Sequence, residues 1–265
     1  MKIALCVKQV PDTSDIKWTE NNTMQREGVE SIINPYDLYA TEIALQLKKL
    51  CNAEITVFTM GPLQASEMLK EVIAVGADNG VLISDRKFAG ADTFATGKTL
   101  SAAIKKVLPD FDYIICGQFA IDGDTAQTGP CIAGLLNIPQ VTYVKEVVKC
   151  EGSEITLSRI LEDGVEKVKV NSPALLCVLK SEFEPTRALI NGIIKAQDSN
   201  IKTLTLDDLD LSAEDVGIKG SPTYVSKAFR PEIKHNCEKH MCLENCSGAE
   251  IIHSKIKEIG VLNDE

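Results

Sequence analysis

The residues with the strongest chemical signal form one short stretch, GQFAIDGDTAQTGP, at positions 117–130. It combines small residues with two aspartates, contains no lysine or arginine, and precedes a segment with a helical pattern. We expect residues 125–127 to form the first helical turn, whose free backbone N–H groups and dipole favour an anion such as phosphate. Asp122 and Asp124 are also suited to binding a metal ion or to capping the helix. The residue types alone leave these three interpretations open.

A second stretch, GADTFATGKT at positions 90–99, ends in the Gly-Lys-Thr of a phosphate-binding P-loop. That motif requires a glycine five residues before its second glycine, and Asp92 occupies this position. A carboxylate there would repel the phosphates that the loop binds. The chain also lacks the Gly-x-Gly-x-x-Gly sequence of dinucleotide-binding folds. We therefore exclude both of these common nucleotide motifs.

The cysteines give a weaker signal. Near the C-terminus, a Cys-x4-Cys-x3-Cys run lacks the Cys-x2-Cys pair of common zinc and iron–sulfur sites, so we expect structural thiols, with a metal site as the weaker alternative, at Cys237, Cys242 and Cys246. Six more cysteines lie in apparent strands and helices. We expect these to be buried and reduced, as is typical of cytoplasmic proteins: Cys6, Cys51, Cys116, Cys131, Cys150 and Cys177.

Composition excludes several classes of function. The 265 residues carry a net charge of -10, which argues against binding to nucleic acid or to an anionic membrane surface. No apolar stretch approaches the ~18 residues of a membrane span, and the N-terminus does not have the pattern of a signal peptide. The three histidines all lie beyond residue 234, and no nucleophile–base set stands out. We therefore expect no catalytic side chain.

The elements that would position the 117–130 stretch alternate between strand and helix over the first 140 residues. Apolar, β-branched strands are predicted at KIALCVKQV, EITVFT, GVLIS and FDYIIC, with helices after each. This order predicts right-handed crossovers and a doubly wound, mostly parallel α/β sheet. Ligands bind at the carboxyl ends of strands in such sheets, which directs attention to loops 8–13, 59–62, 84–93 and 117–125.

The pattern changes after residue 138. VTYVKEVV, SEITLSRI, VEKVKV and ALLCVLK are predicted to be short strands that add antiparallel hairpins to the sheet. SEFEPTRALINGIIKAQ, at 181–197, is predicted to be a loop. Beyond residue 198 the chain is polar, with one short helix expected near 249–259. We therefore predict a domain over residues 1–198 and a C-terminal arm over 199–265 that packs on this domain or on a partner.

Six of these stretches, in order, resemble the β subunit of electron-transfer flavoproteins. They are CVKQVPD, NPYDLYATEIAL, MGP, VGADNGVLIS, the 117–130 stretch and EPTRALINGIIKA. The resemblance implies an adenine-nucleotide α-hydrolase-like fold, an α subunit as partner, and a nucleotide whose phosphates lie in the 117–130 loop. The nucleotide-binding residues that it implies are Cys6, Val7, Lys8, Asn34, Tyr36, Asp37, Met60, Gly61, Ala91, Asp92, Thr93, Thr96, Gly117, Gln118, Asp122, Gly123, Asp124, Thr125, Ala126, Gln127, Thr128 and Gly129.

The family includes members whose β subunit holds AMP and bifurcating members whose β subunit holds FAD. SDRKFAGADTFAT, at 84–96, resembles the loop that lies over the flavin in the bifurcating members. This implies FAD as cofactor, NADH as electron donor, and transfer to the α-subunit FAD, a dehydrogenase and ferredoxin. It also implies that Arg86 tunes the flavin, that loop 181–196 recognises the dehydrogenase with Ile190 as its anchor, and that the arm packs on the α subunit. An AMP-holding subunit and a stand-alone nucleotide-binding regulator are the alternatives.

Overall fold

The computed structural model describes residues 1–12, 31–226 and 247–260. The chain divides into two compact units, Met1–Lys227 and Ala228–Glu265. The strands of the first unit are β1 Lys2–Cys6, β2 Gln9–Pro11, β3 Ser31–Ile33, β4 Glu54–Met60, β5 Asn79–Ile83, β6 Tyr113–Gly117, β7 Gln140–Glu151, β8 Glu154–Leu161, β9 Gly164–Asn171, β10 Ala174–Val178 and β11 Lys202–Leu204. Its helices are α1 Pro35–Cys51, α2 Ala65–Val75, α3 Thr93–Val107, α4 Thr128–Leu136 and α5 Ile190–Gln197, with one-turn 3₁₀ helices at Arg86–Phe88 and Leu206–Asp208.

One nine-stranded sheet organises the first unit, in the order β11-β5-β4-β1-β6-β10-β7-β8-β9. Every pair from β11 to β7 is parallel, and β7, β8 and β9 pair antiparallel. The predicted mostly parallel α/β fold with an antiparallel addition is therefore confirmed. From β1 the chain first builds outwards through β4 and β5 and then returns to place β6 on the other side of β1. This reversal makes the carboxyl ends of β1 and β6 the topological switch point of the sheet, the place where ligands bind in such folds.

The central parallel strands β1, β4, β5, β6 and β10 bury both of their faces because helices cover both sides of this part of the sheet. On β1, Ile3 and Leu5 face the core formed with α1 and α2. Ala4 and Cys6 alternate with them and face the second core, which is formed with α3 and α4. Such doubly buried strands are continuously apolar, which is why their sequences show no polar alternation.

The prediction for ALLCVLK was wrong. β10 lies between β6 and β7 and is parallel to both, rather than part of an antiparallel hairpin. All five of its residues are buried, as expected for a strand inside a parallel sheet and not for one half of an exposed hairpin.

The prediction that 181–197 is entirely loop was also wrong, since residues 190–197 form α5. The helix packs closely on α2, and a side chain at Gly192 would collide with the carbonyl oxygen of Ala74. Before it, Glu42 on α1 accepts hydrogen bonds from the amide (3.1 Å) and the hydroxyl (2.7 Å) of Thr186. These contacts leave Ile190, at the start of the helix, 76% exposed.

Residues 199–226 belong to the first compact unit rather than beginning a separate arm. β11 pairs with β5 at the edge of the sheet, and four apolar side chains that follow are buried in the core under α3: Leu204, Leu206, Leu209 and Val216. The compact unit therefore continues past the predicted boundary at residue 198 to Lys227. In the second unit, the predicted helix near 249–259 is α6, Ser247–Glu258.

The cysteines only partly follow the prediction. Cys51 at the end of α1 and Cys150 on β7 form a disulfide, so the expectation of reduced thiols was wrong for these two. Cys6, Cys116 and Cys177 are buried free thiols, and Cys131 is a half-buried one. The remaining three candidates, Cys237, Cys242 and Cys246, lie outside the described residues. No described helix is long and apolar enough to cross a membrane.

Candidate functional site

The loop that follows β6 has a shape suited to an anion. Helix α4 begins at Thr128, three residues later than predicted, because Asp124 and Ala126 adopt left-handed backbone angles, with φ of 49° and 55°. The helix has Gln127 as its N-cap, and the side chain of Gln127 makes no capping hydrogen bond. Its first N–H groups are therefore left for a ligand or water.

Gly123 marks the open side of this loop. A Cβ built on it would meet no described heavy atom within 4 Å. The protein itself therefore does not require glycine here, whereas a ligand that lies against the backbone would. Among the described residues, no group of three or more His, Cys, Asp or Glu side chains lies together as a metal site requires. Of the three interpretations of this stretch, these observations favour the phosphate site.

Lys8 supplies a cation to a loop that has none of its own. It lies just after β1, and its Nζ is 2.5 Å from the Oδ1 of Asp122, whose side chain is nearly buried. The Lys8 side chain remains 42% exposed. This pair links the loops that follow β1 and β6, and it balances the charge of Asp122 beside the candidate site.

The first turn of α1 holds the same two loops together from below. Asp37 is 4% exposed, and its carboxylate accepts hydrogen bonds from the amides of Lys8 (2.8 Å) and Gly117 (2.9 Å). Burial raises the pKa of Asp37 to about 7, although these two bonds act in the opposite direction. A side chain at Gly117 would collide with Tyr36 and Asp37, so glycine is required there.

Asn34 also holds the loop that follows β6, a role that its position at the start of α1 did not predict. It is the N-cap residue of α1, but its side chain does not cap the helix. Its Nδ2 instead donates to the carbonyl oxygen of Phe119 (2.8 Å), and its Oδ1 accepts from the amide of Ile121 (3.3 Å). Asn34 and Asp37, both predicted to contact the nucleotide, thus shape the loops that would do so.

Three aromatic rings line up beside the loop. Phe119 has its ring centroid 5.4 Å from that of Tyr36 and 6.3 Å from that of Tyr143, both in edge-to-face geometry. Tyr143 adopts a left-handed φ of 59°, and its amide donates to the Oε1 of buried Gln118 at 2.8 Å. Phe119 and Tyr143 were not predicted as site residues, because their contact depends on the pairing of β7 with β10.

A row of thiols lies beneath the start of α4. Cys6, Cys116 and Cys177 are neighbours in register on β1, β6 and β10, and the last two sulfurs are 3.8 Å apart. A Cβ at Gly129 would collide with these two sulfurs, so the helix start approaches the sheet closely. Burial raises the pKa of Cys6 to about 12, and contact with Cys177 together with burial raises that of Cys116. Cys6 and Cys116 are therefore uncharged at neutral pH, and the row acts as a compact support for the loop.

Loop 84–93 approaches the site from the neighbouring strand. Asp92 caps α3 through Oδ1, which accepts from the amides of Phe94 (3.0 Å) and Ala95 (2.9 Å). Its Oδ2 accepts from the amide (3.0 Å) and the hydroxyl (2.7 Å) of Thr223. Burial alone would raise the pKa of Asp92, but these hydrogen bonds outweigh it and hold the pKa below its usual value. Both carboxylate oxygens are thus engaged within the protein.

Some of the other predicted residues lie near this loop, and Ile190 does not. The hydroxyl of Thr93 lies 3.0 Å from the Oε1 of Gln127, which places Thr93 next to the 117–130 loop. Met60 and Gly61 end β4 at the same edge of the sheet, and Arg86 is exposed on the adjacent 3₁₀ helix. Ile190 lies apart from these loops, at the start of α5, and a cavity of about 530 Å³ nearby is lined by residues of α1, α2 and α5.

Comparisons with known proteins agree on one family. The electron transfer flavoprotein domain matches residues 21–209 of the chain. Electron transfer flavoprotein subunit beta of Clostridium acetobutylicum is 47% identical over 235 residues, which are 88% of this chain and 90% of the relative. The Caffeyl-CoA reductase-Etf complex subunit CarD of Acetobacterium woodii is 46% identical over 236 residues, 88% of this chain and 89% of the relative. Acryloyl-CoA reductase electron transfer subunit gamma of Anaerotignum propionicum is 44% identical over 241 residues, 88% and 90% of the two chains.

Proposed function

We propose a function for this chain from the family to which it belongs: it is a member of the electron transfer flavoprotein family. One of its relatives is named as a subunit of a reductase-Etf complex, and another as the electron transfer subunit of a reductase. We infer that this chain is the β subunit of an electron transfer flavoprotein, that it pairs with an α subunit, and that it serves a flavin-dependent dehydrogenase. No nucleic-acid partner is part of this proposal. Its location would be the cytoplasm, where NADH and ferredoxin are supplied.

The cofactor that we propose is FAD, bound with its pyrophosphate against the backbone of residues 123–127. The observation that carries this proposal is the uncapped start of α4 beside the open space at Gly123. Helix N-termini of this kind bind phosphate through N–H groups, and Lys8 lies close enough to add charge. The residues present therefore fit a dinucleotide phosphate. AMP would use the same phosphate contacts, which makes it the alternative ligand.

When bound, FAD would supply the capacity to accept hydride from NADH and to pass single electrons onwards. The chain's own residues would bind and orient it. The first turn of α1 holds the two loops in place, and the aromatic row of Tyr36, Phe119 and Tyr143 would exclude water from one side. Arg86 is exposed and makes no ion pair with a described residue, so its charge is available to stabilise a reduced flavin.

One observation favours the AMP-holding alternative. A nicotinamide could reach a flavin at this site only if loop 84–93 moves, and Gly90 is the residue of that loop suited to act as a hinge. Gly90 has a left-handed φ of 71° but lies against Ile218, and Asp92 is bonded on both oxygens. A braced loop suits a permanently held structural nucleotide at least as well as a flavin that must be approached.

Extraction of the nucleotide from the purified complex tests the proposal. Denaturation and chromatography should release one FAD per β subunit in addition to the flavin of the α subunit. AMP in its place would support the alternative, and a β subunit without any nucleotide would overturn the phosphate site.

The variant Gly123→Val tests the position of the phosphates. We expect it to lower nucleotide occupancy at least about tenfold, because the added side chain fills the space that the phosphate needs. Gly134→Val is the matched control, since a Cβ at Gly134 also meets no described atom within 4 Å, but it lies within α4. Equal occupancy in the two variants would contradict this placement.

A further inference from the structure

Residues 212–223, which we call the brace, pack along the start of α3. The brace begins with a turn in which Asp215 accepts hydrogen bonds from the amide (2.9 Å) and hydroxyl (2.6 Å) of Ser212. Asp215 also pairs with Lys98 on α3, at 2.6 Å, and the adjacent Val216 is buried in the core. The brace is thus attached to the helix whose N-terminus borders the candidate site.

The brace then touches the 84–93 loop directly. Gly217 has a left-handed φ of 57°, and a side chain there would collide with the carbonyl oxygen of Lys87. Ser221 accepts a hydrogen bond from the amide of Asp92 (2.8 Å) and donates one to the carbonyl oxygen of Gly217 (2.7 Å). Thr223 donates both its amide and its hydroxyl to the Oδ2 of Asp92.

A path of hydrogen bonds and one peptide link leads from the brace to the 117–130 loop. Thr223 binds one oxygen of Asp92, and the other oxygen caps α3. The next residue, Thr93, is the first of that helix, and its hydroxyl is bonded to Gln127, the N-cap of α4. Thr223 and Gln127, more than 90 positions apart in sequence, are therefore connected through Asp92 and Thr93.

We propose that Asp92 and Thr223 are positioning residues for the nucleotide site, and that the segment where the chain leaves the first unit is energetically coupled to nucleotide binding. Thr223 lies four residues before Lys227, where that unit ends. Breaking the Thr223–Asp92 bond loosens the start of α3 and, through Thr93, the loop that binds phosphate. By linkage, a bound nucleotide strengthens the same bond to the same degree. This inference rests on the proposed nucleotide-binding function.

The test compares Thr223→Val with Thr223→Ser in the purified complex of this chain and its α subunit. We measure the dissociation of FAD by flavin fluorescence and that of AMP by calorimetry. Thr223→Val, which loses the hydroxyl donor, should release the bound nucleotide at least about fivefold faster, and Thr223→Ser should behave as wild type.

Thr205→Val provides the matched control. Thr205 donates its amide and its hydroxyl, each at 2.8 Å, to one oxygen of Asp208, the same arrangement at another place in the unit. It should cost similar stability in urea unfolding and leave nucleotide release unchanged. Equal release rates for Thr223→Val and wild type, or equal acceleration in both valine variants, would overturn the coupling.

Hydrogen exchange on the wild-type complex tests whether a bound nucleotide strengthens the Thr223–Asp92 bond, and it requires no variant. The amide of Thr223 should exchange at least about fivefold more slowly with nucleotide bound than after the nucleotide is stripped, and the amide of Thr205 should not change. Unchanged exchange at Thr223 would overturn the inference. A wild-type complex that binds no nucleotide at this site would instead overturn the proposed function itself.

Discussion

A single buried carboxylate, that of Asp37, joins the loops that follow β1 and β6. Its folded-state pKa is raised by burial to about 7, from the ordinary carboxyl value of 3.8. Between these two pH values the unfolded chain releases the proton while the folded protein keeps it. The raised pKa therefore makes the folded state progressively less stable as pH rises from about 4 to about 7, and has no further effect above that range.

Asp37→Asn should remove this dependence, since an amide does not titrate. The variant should be destabilised at pH 4.5, because its NH₂ group faces a backbone N–H donor. Relative to wild type, that penalty should shrink by about 2–4 kcal/mol by pH 7.5. Urea unfolding of both proteins at four pH values measures this difference. A penalty that stays constant across the range would show that Asp37 titrates normally in the folded protein.

At the scale of elements, the sequence was sufficient to predict the strands and helices whose burial produces a clear apolar pattern. The apolar runs of β1, β4, β5 and β6 and the helices between them were predictable, because each strand is buried on both faces and each helix on one. β10 has the same continuous apolar pattern, but its turn-rich neighbours suggested a hairpin. α5 was missed for the opposite reason: its apolar residues point outwards, so they do not form the buried stripe that predicts a helix.

In the candidate site, too, some features could be predicted from the sequence and others could not. The position of the 117–130 loop at the carboxyl edge of the sheet follows from the order of strands and helices. The contacts of Asn34 with Phe119, and of Asp92 with Thr223, do not, since they join residues 85 and 131 positions apart. Which side chains face a ligand and which hold the loops is decided by such contacts. Sequence therefore identified the region and grouped both kinds of residue together.

Helix α5 carries a prediction about docking. Four aliphatic residues around its start are exposed, although its neighbours hold it firmly on α1 and α2: Leu189, Ile190, Ile193 and Ile194. A rigidly presented apolar patch is typical of a protein-binding surface. We expect Ile190→Ala to weaken docking of the dehydrogenase about tenfold and to leave nucleotide content unchanged.

Electron transfer to the dehydrogenase, measured as a function of its concentration, tests this expectation. Leu50→Ala is the control, since Leu50 is also an exposed aliphatic residue, at the end of α1. The apparent affinity should fall for Ile190→Ala alone. If the two variants transfer electrons equally well, Ile190 is an ordinary surface residue and the anchor lies elsewhere.

At the scale of the whole molecule, the proposed nucleotide site and the proposed docking site lie in different parts of the first unit. The nucleotide would lie at the carboxyl edge of the sheet, the dehydrogenase would dock on α5, and the chain leaves the unit next to the brace. The net charge of -10 gives the molecule an acidic surface suited to neither nucleic acid nor anionic membranes. Under the proposed function, the activity of this chain would depend on the partners that it brings together.

The last prediction concerns how electrons from NADH are divided. A low-potential carrier such as ferredoxin accepts electrons from NADH only when a second, energetically favourable transfer is coupled to it, because the free energy of each step follows its potential difference. We expect the purified complex, given NADH, the dehydrogenase and the dehydrogenase's substrate, to reduce ferredoxin, and to stop doing so when that substrate is omitted. Omission of ferredoxin should likewise slow reduction of the substrate, since the two transfers proceed together. If the substrate is reduced at the full rate without ferredoxin, the complex is an ordinary electron carrier, and the nucleotide beside Gly123 then serves only to hold the fold.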